Sequence, residues 1–91
     1  MLLWTELAIE SWNRLSEPEQ RQDRVFRVIE LLDEIEYNTA DAWQSAQEVH
    51  DPAITTRLVR RTLIELDDPS LWIYWSMQEN GDAVILDLVF G

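Results

Sequence analysis

The sequence contains no cysteine, no lysine and a single histidine. Without cysteine there is no disulfide, no thiolate metal site and no cysteine nucleophile. No apolar run approaches the ~18–20 residues that cross a bilayer. The opening Met1-Leu2-Leu3-Trp4 has no basic region before it and meets Glu6 at once, so it does not read as a secretory signal. No D-x-D-x-D-G loop, H-E-x-x-H or G-x-S-x-G occurs, which leaves metal-dependent and hydrolytic chemistry without a motif. No cofactor and no enzymatic activity are expected. The missing cysteines agree with a cytoplasmic location.

Charge of one sign is scarce. All seven bases are arginine, and they face eighteen carboxylates for a formal net charge of −11. Residues 17–36 hold seven acids and three Arg, and residues 67–91 hold five acids and no base. The one basic stretch, residues 52–66, holds Arg57, Arg60, Arg61 and Glu65. Such a chain repels nucleic acid overall and attracts basic partners, although acidity also serves plain solubility. With 91 residues, 46% of them hydrophobic and five of them Trp, the chain is expected to form a single domain, 1–91, with a modest core.

The pattern predicts an α+β fold, with helices packed on a small, mostly antiparallel sheet that ends in a β-hairpin. Met1–Trp4 fits a short strand. Thr5 fits the cap of a helix from Glu6 to about Leu15, with Leu7, Ala8, Ser11, Trp12 and Leu15 at helical spacing. Ser16-Glu17-Pro18-Glu19 has capping-box spacing and opens a helix to about Glu36, with Val25, Val28/Ile29, Leu32 and Ile35 inward. A weaker helix is expected from Thr39 to about His50, with Ala42, Trp43, Ala46 and Val49 inward. Asp51-Pro52 starts another. Thr62–Leu66 could extend that helix or form a strand, and β-branched Thr62 and Ile64 favour the strand. Leu71–Met77 and Ala83–Phe90 read as strands joined at Asn80-Gly81, where both turn residues are expected at positive φ.

The candidate partner-binding residues are Trp72, Tyr74, Trp75, Arg57, Arg60 and Arg61. Alternation along the strand places Trp72 and Tyr74 on one face and Trp75 with Ile73 on the other. One face must pack the core, and the other is an interface for a protein partner unless a helix covers it. Arg57, Arg60 and Arg61 at i, i+3 and i+4 would share one helical face. There they either bridge to acids such as Glu65 or form a patch for phosphate or carboxylate. His50, in Glu48-Val49-His50-Asp51, is expected to interact with a helix C-terminus rather than to act in catalysis. The abundant carboxylates read as solvated surface. Neither a membrane nor direct nucleic-acid contact is expected, and self-association stays open.

Both ends of the chain resemble the RelE/ParE-type toxins of bacterial toxin–antitoxin modules. The likeness is carried by Leu3-Trp4-Thr5-Glu6-Leu7-Ala8-Ile9-Glu10, by the Leu15-Ser16-Glu17-Pro18-Glu19 step, and by Leu71-Trp72-Ile73-Tyr74-Trp75 with Asp82–Gly91. It covers residues 1–36 and 71–91. It implies a small α/β toxin held by an antitoxin, either cleaving messenger RNA on the ribosome or poisoning DNA gyrase. The strands at 71–90 carry no Arg, Lys or His, so the nuclease residues are missing and no catalytic residue is assigned. The resemblance therefore implies a non-nucleolytic member acting through a protein partner. The charge alone supports a second reading: an acidic inhibitor of immunity, anti-restriction or anti-CRISPR type that imitates nucleic acid or plugs a basic cleft.

Overall fold

A computed structural model of the protein describes residues 2–15, 22–49, 59–65 and 70–90, with the side chains of residues 15, 22–24 and 90 left aside. The fold is α+β. Strand β1 (Leu2–Trp4) leads into helix α1 (Glu6–Leu15), followed by α2 (Gln22–Tyr37) and α3 (Thr39–Ser45). Among the described residues four strands follow: β2 (Gln47–Glu48), β3 (Arg60–Ile64), β4 (Leu71–Met77) and β5 (Ala83–Phe90). They form one five-stranded sheet in the order β1-β5-β4-β3-β2, in which β1 runs parallel to β5 and the other pairs are antiparallel.

The entry into α1 follows from one side chain. Thr5 Oγ1 accepts the Ala8 N–H at 3.1 Å, which satisfies an orphan donor of the first turn. The same hydroxyl donates to the Leu86 carbonyl at 2.8 Å. That carbonyl belongs to the residue β5 inserts between the Tyr74↔Asp87 and Trp75↔Ile85 pairs, so the N-cap of α1 also anchors a β-bulge. At the α2–α3 junction, the Thr39 hydroxyl donates to the Ile35 and Glu36 carbonyls and closes the end of α2.

Cross-strand register defines the two faces of the sheet. Leu71, Ile73 and Trp75 of β4 share a face with Arg60, Thr62 and Ile64 of β3, and with Ala83, Ile85 and Leu88 of β5. On this face Ala8 of α1, Val28, Leu32 and Ile35 of α2, and Ala42 and Trp43 of α3 join them in one buried cluster. At about 25 cal/mol per Å² of apolar surface, this layer is the main stabilising contribution of the fold. Leu2, Trp4 and Trp12 pack at its margin, with Trp4 and Trp12 edge to face at 6.0 Å.

Several expectations are corrected. The third helix stops at Ser45 instead of reaching His50, because Ala46 turns to extended backbone and Gln47–Glu48 pair with Arg60–Arg61 as an edge strand. Residues 60–64 are strand, which resolves that open choice through the pairing of Thr62 with Ile73 and Ile64 with Leu71. At the hairpin only Gly81 has positive φ, at +90°. The loop spans Gln78–Asp82, as the expected strand bounds require: Gly81 N–H donates to Gln78 O, and Gln78 N–H donates to Asp82 O. Of the inward alternatives Val28 and Ile29, Val28 is buried and Ile29 exposed, and Leu7, which shares the helical spacing of α1, is exposed. The Ser16–Glu19 capping box, His50, the Asp51-Pro52 helix start and Arg57 lie outside the described residues. No helix among the described residues is long and apolar enough to cross a membrane.

Candidate functional site, the open face of the sheet

The face of the sheet turned away from the core cluster has its own composition, and pairing arranges it in rows. Leu63, Trp72 and Val89 lie side by side across β3, β4 and β5. Beside them run Gln47, Arg61, Tyr74 and Asp87 across four strands. Ser76, Val84 and Leu3 make the next row, across β4, β5 and β1, in which Ser76 is buried, Val84 partly exposed and Leu3 exposed. Leu3, Leu63 and Val89 are each about two-fifths exposed, at 41%, 40% and 38%. An apolar surface spread over three neighbouring strands is unusual for a face that only meets water.

Arg61 is the organising side chain of this face. Its guanidinium carbon stands 4.0 Å from the Trp72 ring centroid, a close cation–π contact. Its Nε–H donates to Gln47 Oε1 at 2.9 Å, and Nη1 reaches the Tyr74 hydroxyl at 3.4 Å. Trp72 and Tyr74 are both half-buried, with Arg61 stacked on the first and reaching the hydroxyl of the second. Among the described residues, every group that holds the guanidinium is electrically neutral. Asp87, at the end of the same row, is engaged elsewhere: one of its oxygens accepts Ser11 Oγ–H and the Leu88 N–H, both at 2.8 Å.

Arg60, the adjacent residue, points to the opposite face because strand side chains alternate. Its guanidinium lies over the Trp43 ring, 4.6 Å from the centroid, and donates to the Trp43 carbonyl. Nη2 pairs with Glu48 at 3.4 Å, while Nε is buried without a hydrogen-bond partner. Arg60 therefore clamps α3 to β2 and β3. The expected shared helical face of Arg57, Arg60 and Arg61 does not exist, since Arg60 and Arg61 occupy opposite sides of a strand. Trp75, expected to contact a partner, is fully buried. It packs edge to face on Trp43 at 5.1 Å and donates its Nε1–H to Thr62 Oγ1 at 3.0 Å. Of the candidates within the described residues, the open face thus brings together Trp72, Tyr74 and Arg61, and excludes Trp75 and Arg60.

Sequence reasoning missed Gln47, Leu63 and Val89 as members of this face. Gln47 sat inside an expected helix, and Leu63 and Val89 read as ordinary apolar strand residues. Strand alternation running outward from Trp72 and Tyr74 was the signal available for the latter two.

The helical side has a different exterior. Phe26 is 62% exposed and Tyr37 76% exposed on the outer surface of α2, interleaved with exposed Glu30, Asp33 and Glu34. Arg27 donates to the Glu65 carbonyl at 2.7 Å. It borders a groove of about 430 Å³ with Glu30, Leu31, Glu34 and Leu63. Among the described residues, no three His, Asp or Glu side chains converge where they could hold a metal ion.

Comparison with protein-family models, with curated proteins and with solved structures finds no match for this chain.

Proposed function

We propose that this chain is a RelE/ParE-like, non-nucleolytic toxin-module protein. In this reading it is not an enzyme, and it acts in the bacterial cytoplasm through a protein partner seated on the open sheet face. One observation carries the reading: on the sheet face opposite the core cluster Leu3, Leu63 and Val89 are exposed and Trp72, Tyr74 and Val84 are partly exposed, with Leu7, Ser11 and Arg14 of α1 bordering them beside Asp87 and Val89. Protein interfaces favour this chemistry, with large aromatic side chains and an Arg at the centre and apolar residues around them. The order of elements adds support, since a short strand ending in Trp-Thr feeds α1, a long α2 follows, and a C-terminal hairpin closes the sheet. The absence of Lys, Arg and His from β4 and β5 argues against phosphodiester cleavage, because Arg61 of β3 is the one cation in the rows beside them and a single cation offsets little of the charge developing on phosphate. The test is induced expression in bacteria beside folded Trp72→Ala and Tyr74→Ala variants. Growth arrest by the parent alone is expected, relieved by co-expression of an antitoxin. Ribosome-dependent messenger cleavage by the purified protein would overturn the non-nucleolytic reading.

A second reading is favoured by the outer surface of α2. Exposed Glu30, Asp33 and Glu34 around Phe26 suit an acidic inhibitor that docks in the basic cleft of a target enzyme. Charge-driven binding of that kind weakens sharply between low and high salt. An affinity insensitive to salt would exclude it.

A further inference from the structure

Arg60 and Arg61 pose a contrast that the proposed function does not use. Both stack on a tryptophan, Trp43 for Arg60 and Trp72 for Arg61. Arg60 has a carboxylate, Glu48, at 3.4 Å. Arg61 makes no ion pair among the described residues, although the chain holds eighteen carboxylates. Its Nε and Nη1 are occupied by neutral oxygens of Gln47 and Tyr74, and Nη2 keeps two N–H donors without a partner among the described residues. A guanidinium stacked on one ring and pinned at Nε has already lost most of its rotamer freedom, so a ligand need not order it.

We propose that Arg61 receives a carboxylate from an apolar segment of the protein partner, and that this contact fixes where the partner lies on the open face. The inference rests on the reading of that face as a partner surface. A carboxylate forms paired, charge-assisted hydrogen bonds with a guanidinium fork. The neighbouring rows dictate what surrounds it: Leu63, Trp72 and Val89 on one side, Val84 and Leu3 on the other. The complementary segment is therefore an Asp or Glu flanked by apolar side chains. A nucleic-acid strand fits less well, because its successive phosphates need several cations, and Arg61 is the one cation in these three rows, with Arg14 of α1 at their border and Asp87 between them. The net charge of −11 opposes any anion at long range, but screening over ~8 Å at physiological salt confines the contest to the contact itself.

The test uses the full chain and random dodecapeptides displayed on phage, selected in parallel on the parent, Arg61→Gln and the double variant Trp72→Ala/Tyr74→Ala, each checked for native near-ultraviolet circular dichroism. The expected consensus on the parent is one acid between apolar residues, absent on the double variant. Selection on Arg61→Gln should keep the apolar positions and lose the acid. With a synthetic consensus peptide, changing its acid to the amide should weaken binding to the parent by about tenfold or more, the scale of a hydrogen bond to a charged group. The same peptide change should alter binding to Arg61→Gln by less than about twofold, since the cycle isolates the pair. A consensus lost on the double variant but lacking an acid would overturn this inference and leave the partner surface standing. Enrichment of basic peptides equally on all three proteins would overturn both. Arg61-dependent binding of a twelve-nucleotide DNA strand, without an acidic peptide preference, would replace the carboxylate by phosphate.

Discussion

Trp72 and Trp75 lie on one strand, three positions apart, in two different environments. Trp75 faces the helices, is fully buried, packs on Trp43 and has its indole N–H satisfied by Thr62. Trp72 faces away from the core cluster, is partly exposed and carries the Arg61 guanidinium over its ring. The side chains are chemically identical, so the difference comes from what each face meets. Three helices supply apolar side chains to one side, and the other is left with Leu63, Val89 and a stacked cation. The contrast separates a tryptophan that stabilises the fold from one that, in the proposed function, meets a partner.

The largest effect that would break this comparison comes from truncating each ring in turn. Trp75→Ala should destabilise the domain by about 3–5 kcal/mol, the usual range for deleting a buried Trp and leaving a cavity. That is a large part of the ~5–15 kcal/mol that holds a domain together, so the variant should unfold near the start of a urea titration. Trp72→Ala should cost about 1 kcal/mol or less and should act on partner binding instead. Equal urea midpoints for the two variants would remove the distinction between the faces.

The two arginines extend the contrast. Arg60→Ala removes a stacked ring contact, a hydrogen bond to the Trp43 carbonyl and a pair with Glu48. A hydrogen bond from a charged group is worth about 1.5–3 kcal/mol, and that is the loss expected. The pair with half-exposed Glu48 adds little to it. Arg61→Ala should change stability by under ~1 kcal/mol, because its partners Gln47 and Tyr74 stay open to water. A destabilising Arg61→Ala and a silent Arg60→Ala would reverse the assignment of clamp and binding group.

Much of this arrangement was legible in the sequence. Alternation placed Trp72 with Tyr74 and Trp75 with Ile73 on opposite faces, and Thr5 and the apolar spacing of Val28, Leu32 and Ile35 outlined α1 and α2. The sequence did not show which face the helices cover, because both faces of β4 carry aromatics and coverage is a tertiary property. The Arg57–Arg60–Arg61 spacing misled for a related reason. Residues at i, i+3 and i+4 share a face only on a helix, and the pairing of β3 with β4 overrode that local signal. Gln47 could not be foreseen beside Arg61, since a two-residue edge strand has almost no pattern of its own.

A smaller effect tests how the buried tryptophan is held. Thr62 is the acceptor for the Trp75 Nε1–H. Thr62→Val keeps the β-branched shape and removes the oxygen, leaving a buried donor unsatisfied at a cost of about 1–2 kcal/mol. Thr62→Ser keeps the oxygen and should recover most of that loss. Thermal unfolding of the three proteins reads the difference. If Val and Ser behave alike, packing alone positions the ring.

The smallest effect concerns the outer surfaces, where the sheet presents Arg61 and α2 presents acids. Tyr37, almost fully outside the fold, is held above its usual ionisation range. The main cause is a hydrogen bond with the Glu36 side chain; the Glu36 charge, slight desolvation and the Asp33 charge follow. Its folded pKa is raised, so as pH climbs the unfolded chain loses this proton first. The associated stability is present below the unfolded value of about 10 and is lost as pH rises through the folded one. Glu36→Gln should lower the Tyr37 titration midpoint toward the unfolded value, as followed by NMR of the ring. One molar salt should lower it less, because screening over ~3 Å weakens the charges but leaves the direct hydrogen bond. A midpoint that moves with salt and not with Glu36→Gln would mean that the whole acidic surface of α2 acts as one field, which would strengthen the inhibitor reading against the sheet-face one.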